Sequence, residues 1–267
     1  MPRLGICEFT TMNASFDEDL AAYRAAGVEG IGVCEAKIAG DTDAGRRLRE
    51  SGLAVSICVP AVPSILPLPL MPGPDEPKER VEAICASLSR LAELEPACVL
   101  FLTGPGPERR EVVVEGVRRI AAEAGRAGVR AALEPIHLSQ RDEFSFVNTF
   151  AAAAALLDEA EADSVGLLFD TWNLWDSPGL DEQIRTHAGR IAGVHVADRR
   201  EPTRSHFDRV LPGAGVAPIP AILRALDDAG YDGWYDVEIF SDDISALDPG
   251  DVARRCRESF DRAWEAR

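Results

Sequence analysis

Eight short apolar runs alternate with eight longer amphipathic ones along this chain of 267 residues. That count constrains the fold more than any single motif does. The predicted strands are Arg3–Glu8, Gly30–Glu35, Ala54–Val59, Cys98–Thr103, Val129–Glu134, Val165–Asp170, Ile191–Ala197 and Trp234–Ile239. Helical periodicity runs through Asp17–Ala26, Asp43–Ser51, Pro77–Leu94, Arg109–Ala127, Asn148–Ala162, Leu180–Gly189, Pro218–Ala229 and Pro249–Ala266. A stretch such as VVVEGVRRIAAEAG sets apolar side chains at i, i+3 and i+4, the spacing of one helix face. The junctions share a grammar: in AAGVEGIGV, ESGLAVSIC, RAGVRAALE and DAGYDGWYDVEI, a helix end is followed by a glycine and then a strand. Glycine suits the left-handed position that ends a helix.

Strands alternating with helices pair in parallel, and eight such units close into an α/β fold, a single (β/α)8 TIM barrel spanning residues 1–267. Helix-to-strand links are short, whereas Pro60–Glu76, Pro135–Val147, Thr171–Gly179 and Asp198–Gly215 are long links after strands. This asymmetry puts the working face at the C-terminal ends of the strands. A doubly wound open sheet would usually carry a glycine-rich phosphate loop after its first strand. Here that position reads EFTTMNASF, without glycine.

Composition narrows the partners. The formal net charge is −17, from 28 basic and 45 acidic residues, which disfavours nucleic acid and anionic membrane surfaces. Ser51–Pro74 carries no charge, but its prolines break any membrane-spanning helix. It reads as a strand followed by an extended apolar loop, with Val62–Met71 expected to cover the barrel mouth or to meet a neighbouring subunit of a homo-oligomer. The six cysteines form no CxxC pair and read as reduced, mostly buried thiols. With an N-terminus, MPRLGICEFTTMN, that lacks the apolar core of a secretory signal, a cytoplasmic location is expected.

Four successive late strands carry polar groups at their ends: Glu134 in AALEPIH, Asp170 in GLLFDTW, His195 in AGVHVAD and Glu238 in YDVEIF. Taken singly, a strand-end carboxylate is often a helix cap, and a lone histidine is often a satisfied core residue. On neighbouring strands of a barrel they converge, and three crowded carboxylates raise one another's pKa. A divalent cation resolves that conflict. One imidazole with three carboxylates suits Mn²⁺ first, with Mg²⁺, Co²⁺ or Zn²⁺ as alternatives.

The segments LEP, FDTWNLW, VHVADRREPT, DRVLPGAG and GYDGWYDVEIF resemble the xylose isomerase-like sugar isomerases and epimerases, a superfamily that also holds abasic-site endonucleases. The likeness runs from the fifth strand to the eighth; the N-terminal half is similar only in architecture. It implies that Glu134, Asp170, His195 and Glu238 are the metal ligands, and that Arg209 in DRVLPGAG reaches the site. Many relatives read Asp-Thr-Phe-His after the sixth strand. Here the last position is Asn173, an amide that can bind a hydroxyl but cannot act as an imidazole acid or base. His137, Trp172 and His206 are further substrate-binding candidates. Trp175 and Arg199 are weaker ones, and His187, within a helix, reads as structural.

The expected chemistry is proton abstraction beside the carbonyl of a small sugar, sugar-like or cyclitol substrate through a metal-bound enediolate, with Glu134 and Glu238 as the catalytic acid–base pair. Return of the proton gives epimerisation or isomerisation; loss of a β-hydroxyl gives a dehydratase, and a C-glycoside lyase would use the same centre. A non-catalytic binding subunit and an abasic-site endonuclease are rival readings. The endonuclease is disfavoured by the acidic charge and by a total of four histidines.

Overall fold

The computed structural model describes residues 2–267. In chain order its strands are β1 (Arg3–Cys7), β2 (Gly30–Cys34), β3 (Ala54–Val59), β4 (Cys98–Phe101), β5 (Ala131–Leu133), β6 (Gly166–Asp170), β7 (Ile191–Val196), β8 (Asp198–Arg199), β9 (Arg209–Val210) and β10 (Trp234–Val237). Eight of them pair in parallel in the closed order β1-β10-β7-β6-β5-β4-β3-β2, and β8 and β9 form a small antiparallel ribbon in the loop after β7. The predicted (β/α)8 barrel is the observed fold.

Side chains fill the cylinder because eight tilted strands leave room for packed layers and no pore. One interior cluster combines Cys7, Cys34, Ile57, Cys98, Leu100 and Leu168. All six cysteines are free thiols, and Cys85 alone among them is not fully buried. Outside the wall, a larger aliphatic core joins strands to helices. Local rules end those helices. Ser15 and Glu18 form a reciprocal capping box at the start of the helix Phe16–Ala25, and Gly52 and Gly128, with φ of 76° and 70°, terminate the helices Ala44–Ser51 and Arg110–Ala127. No helix among the described residues is long and apolar enough to cross a membrane.

Six of the eight barrel strands stop a residue or two before their predicted ends, while β3 and β6 end at Val59 and Asp170 as predicted. β1, β2, β5 and β10 end at Cys7, Cys34, Leu133 and Val237, so Glu8, Glu35, Glu134 and Glu238 each stand just beyond a strand. The backbone amides of Glu134 and Glu238 still donate to Phe101 O and Val196 O at 3.1 Å, which fixes both carboxylates at the last rung of the barrel. The proline-rich loop is also tied to the rim. Ile65 N and Leu66 N donate to Leu102 O and Thr103 O at 3.0 and 2.9 Å, so this segment is a fixed wall of the mouth. Short helices at Thr171–Leu174 and Asp242–Ser245 occupy stretches expected to be loops.

Glu8 belongs to a buried network outside the barrel interior. Its Oε2 accepts from Cys34 N at 2.8 Å, and Lys37 Nζ donates to Asp19 Oδ2 at 2.5 Å and to Thr11 O at 2.8 Å. Glu8 Oε1 and Asp19 Oδ1 are left without a donor. A proton kept on Glu8 and shared with Asp19 satisfies both. Burial pushes the Glu8 carboxyl up to about 9, against the pull of Lys37 and with the help of the Asp19 charge. The folded chain therefore keeps a proton that the unfolded chain gives up, and this group's contribution to stability declines as pH rises from the ordinary carboxyl range through about 9. Glu8→Gln keeps a donor to Asp19 and cannot ionise. Urea midpoints measured from about pH 5 to about pH 9 should fall less steeply for this variant than for the parent; parallel profiles would show that Glu8 holds no such proton.

Candidate metal centre

β5, β6, β7 and β10 are consecutive around the cylinder, so their ends meet on one side of the mouth. Asp170 pairs in register with His195. Ligand-capable atoms of Glu134, Asp170 and His195 lie within 4.8 Å of one another, and a second group with the same spacing joins Cys7, His195 and Glu238. All five residues are buried.

Each carboxylate is held in a defined way. Asp170 Oδ1 accepts from Trp172 N and Asn173 N at 2.7 and 3.3 Å, capping the helix Thr171–Leu174. Its other oxygen faces the site, where it accepts from Asn173 Nδ2 at 3.1 Å and from Arg209 Nη1 at 2.8 Å. The capping role and the site role thus coexist in one side chain. Asn173 Nδ2 also donates to Glu134 Oε1 at 3.0 Å, and Arg209 Nη1 to Glu238 Oε2 at 2.7 Å. Arg209 lies 5.3 Å from the Trp172 ring centroid and Arg199 4.6 Å from it, so the indole helps fix the guanidinium.

His195 has 0% exposure, and neither ring nitrogen has a hydrogen-bond partner among the described residues. Nδ1 stands 3.3 Å from Glu238 Oε2 but out of line for a bond. Burial pushes its pKa down to about 4, with Asp170 pulling up and Arg209 pushing further down, so the ring is neutral and offers a lone pair. Burial, followed by the charges of Asp170 and Glu238, raises the Glu134 carboxyl well above its usual range; burial raises Glu238 against the pull of Arg209. With the three carboxylates ionised, one guanidinium would leave a formal charge of −2 in a buried site. An orphaned neutral imidazole beside that residual charge is the donor set and charge that a divalent cation requires.

Glu134, Glu238 and Arg209 line a cavity enclosing about 660 Å³ with its open mouth. Asp170 and His195 lie outside that lining. Phe9, Leu100, Ile136, Phe144 and Phe240 make the wall apolar, and Pro63 and Met71 close one side. His206 and Gln140 are the other polar lining groups, joined by a 3.2 Å contact from His206 Nδ1 to Gln140 Nε2.

The remaining sequence-predicted groups divide. Asn173 and Trp172 stand behind the carboxylates and Arg209, both fully buried, where they position other groups. His137 is turned away from the cavity, with Nδ1 2.7 Å from Ser139 Oγ and Nε2 3.3 Å from Asp176 Oδ2. His187 packs edge-on against Phe150. Two residues were missed: Cys7, whose strand-end position was a usable signal, and Gln140, which nothing in the sequence distinguishes from other loop amides.

Among curated proteins, an inosose dehydratase of Geobacillus thermodenitrificans is 28% identical over 167 residues, covering 57% of this chain and 53% of that protein. An inosose isomerase of Bacillus velezensis is 26% identical over 162 residues, covering 56% of each. The chain spans about half the length of the curated relatives it matches. Among solved structures, protein SMc04130 of Sinorhizobium meliloti 1021 superposes with a TM-score of 0.88 at 27% identity, covering 98% of both chains. Residues 20–263 match the family described as xylose isomerase-like TIM barrel. With that match covering most of a closed eight-stranded barrel, the chain belongs to the xylose isomerase-like TIM barrel family.

Proposed function

We propose that this chain is a divalent-metal-dependent isomerase or epimerase that moves a proton beside the carbonyl of a sugar-like or cyclitol substrate. The observation that carries this reading is the placement of Glu134 and Glu238. Both line the cavity, while Asp170 and His195 lie behind them. Glu134, Asp170, His195 and Glu238 would hold the cation, which when bound supplies Lewis-acid polarisation of a substrate carbonyl.

The chain's own groups do the rest. Glu134 and Glu238 present carboxylate oxygens to one bound molecule and can take and return the proton of the carbon between them. Asn173 restrains Glu134 and Arg209 restrains Glu238, so each base is aimed before substrate arrives. Arg209 also faces the cavity, where a guanidinium can bind substrate oxygens, and His206 offers a further polar contact. The apolar wall excludes water from the reacting carbon. Asn173, with its amide engaged by Glu134 and Asp170, serves as a positioning residue.

A dehydratase reading has the support of the inosose dehydratase relative. It shares the proton abstraction and adds departure of a β-hydroxyl, for which His206 is the available proton donor at the cavity edge. Product mass separates the two outcomes, since only dehydration removes water from the substrate.

Purified protein should contain stoichiometric divalent metal, and chelation should abolish activity. Returning Mn²⁺ at about 100 times its dissociation constant should stabilise the fold by about 2.7 kcal/mol, read as a rise in Tm. Absence of both metal and shift would exclude the centre. In D₂O with a panel of ketoses, inososes and hydroxypyruvate, Glu134→Gln or Glu238→Gln should slow exchange of the substrate α-proton by about 10²–10⁴-fold. Undiminished exchange in a well-folded double variant would refute the acid–base assignment.

A further inference from the structure

We propose that Cys7 is an additional ligand of the cation in this centre, through its Sγ atom. The proposal rests on the reading that the centre holds a metal.

Barrel closure brings Cys7 there. β1 pairs with β10 across the seam, with Ile6 opposite Val237, so the next residue of each strand, Cys7 and Glu238, stands at one level of the rim. Cys7 Sγ lies 3.7 Å from Glu238 Oε1, and ligand-capable atoms of Cys7, His195 and Glu238 fall within 4.8 Å of one another. Bonds of about 2.0–2.3 Å to one ion set its donors roughly 3–4 Å apart, so small side-chain adjustments bring these atoms to ligand spacing. The second observation is independent of the thiol. His195, fully buried, has two unpartnered ring nitrogens and is common to the Cys7 and Glu238 group and the Glu134 and Asp170 group. Each group therefore offers donors at ligand-like spacing around this imidazole.

A cysteine that only filled space would turn its sulfur toward carbon. Here the thiol donates to a carboxylate oxygen of a proposed ligand. On binding, the S–H bond breaks, the S–metal bond forms and the proton leaves to solvent; no electron is transferred. A thiolate donor strengthens the preference for Co²⁺ and Zn²⁺ over hard Mg²⁺ and Mn²⁺ beyond what oxygen and nitrogen donors give.

Cobalt substitution tests this. Metal-depleted protein titrated with Co²⁺ should show visible d–d bands together with a near-ultraviolet thiolate-to-cobalt charge-transfer band. C7S should keep the d–d bands, lose the charge-transfer band and weaken Zn²⁺ binding relative to Mn²⁺ by roughly tenfold or more. C34S, which replaces a neighbouring interior thiol, should keep both bands. If C7S fails to fold, X-ray absorption at the cobalt edge decides: a sulfur neighbour present in the parent and retained in C34S supports Cys7, and its absence from the parent overturns it. Visible bands without charge transfer in the parent, or charge transfer that persists in C7S, overturn the assignment while leaving the metal centre standing. Failure to bind cobalt at all overturns both.

Discussion

The structure depends on an electrostatic problem created by barrel closure. Consecutive pairing of β5, β6, β7 and β10 around the closed cylinder brings their ends to one buried rim and leaves Glu134, Asp170 and Glu238 beside a neutral His195. Uncompensated carboxylates in such a place are unfavourable by several kcal/mol each. Arg209 supplies one positive charge, shared between Asp170 and Glu238, and burial raises the Glu134 and Glu238 carboxyls. Stability and chemistry thus meet in the same few side chains.

The residues around the carboxylates serve that balance. Asn173 spans Glu134 and Asp170 through one amide nitrogen and, through its oxygen, accepts from His137 N at 3.1 Å. Asn173 has no titratable proton, and its amide is spent on geometry. Trp172 holds Arg209 from behind. Glu134, Glu238, Arg209 and His206 are the charged or titratable groups that line the cavity.

Much of the architecture was legible in the chain. Glycine punctuation marked the helix ends, and the asymmetry of loop lengths marked the working face, because both follow from local backbone geometry. Strand ends were less legible by a residue or two, since the last rung of a parallel ladder depends on the neighbouring strand. The Asp198–Arg199 and Arg209–Val210 ribbon, which carries Arg209 into the site, was not legible: pairs this short form only where the surrounding loop brings them together. The proline-rich segment was read as a cover of the mouth or a contact with a neighbouring subunit, and its backbone bonds to Leu102 and Thr103 tie it to the rim.

By itself the sequence determined the eightfold alternation, hence the barrel, the face that works and the residue types available there. It also placed glutamates just after β1 and β2 as well as after β5 and β10, and singled out Glu134 and Glu238 by their successive late strands and the family resemblance. The tertiary structure supplied the physical separation. Glu8 turns to Asp19 and Lys37, and Glu35 to Arg90 at 2.6 Å, whereas Glu134 and Glu238 line the cavity. The reason is the alternation of side chains along a strand, by which a shift of one residue exchanges interior for exterior. That register is set by pairing around the closed cylinder. The same rule brings Cys7, and not its neighbour Glu8, beside His195 and Glu238.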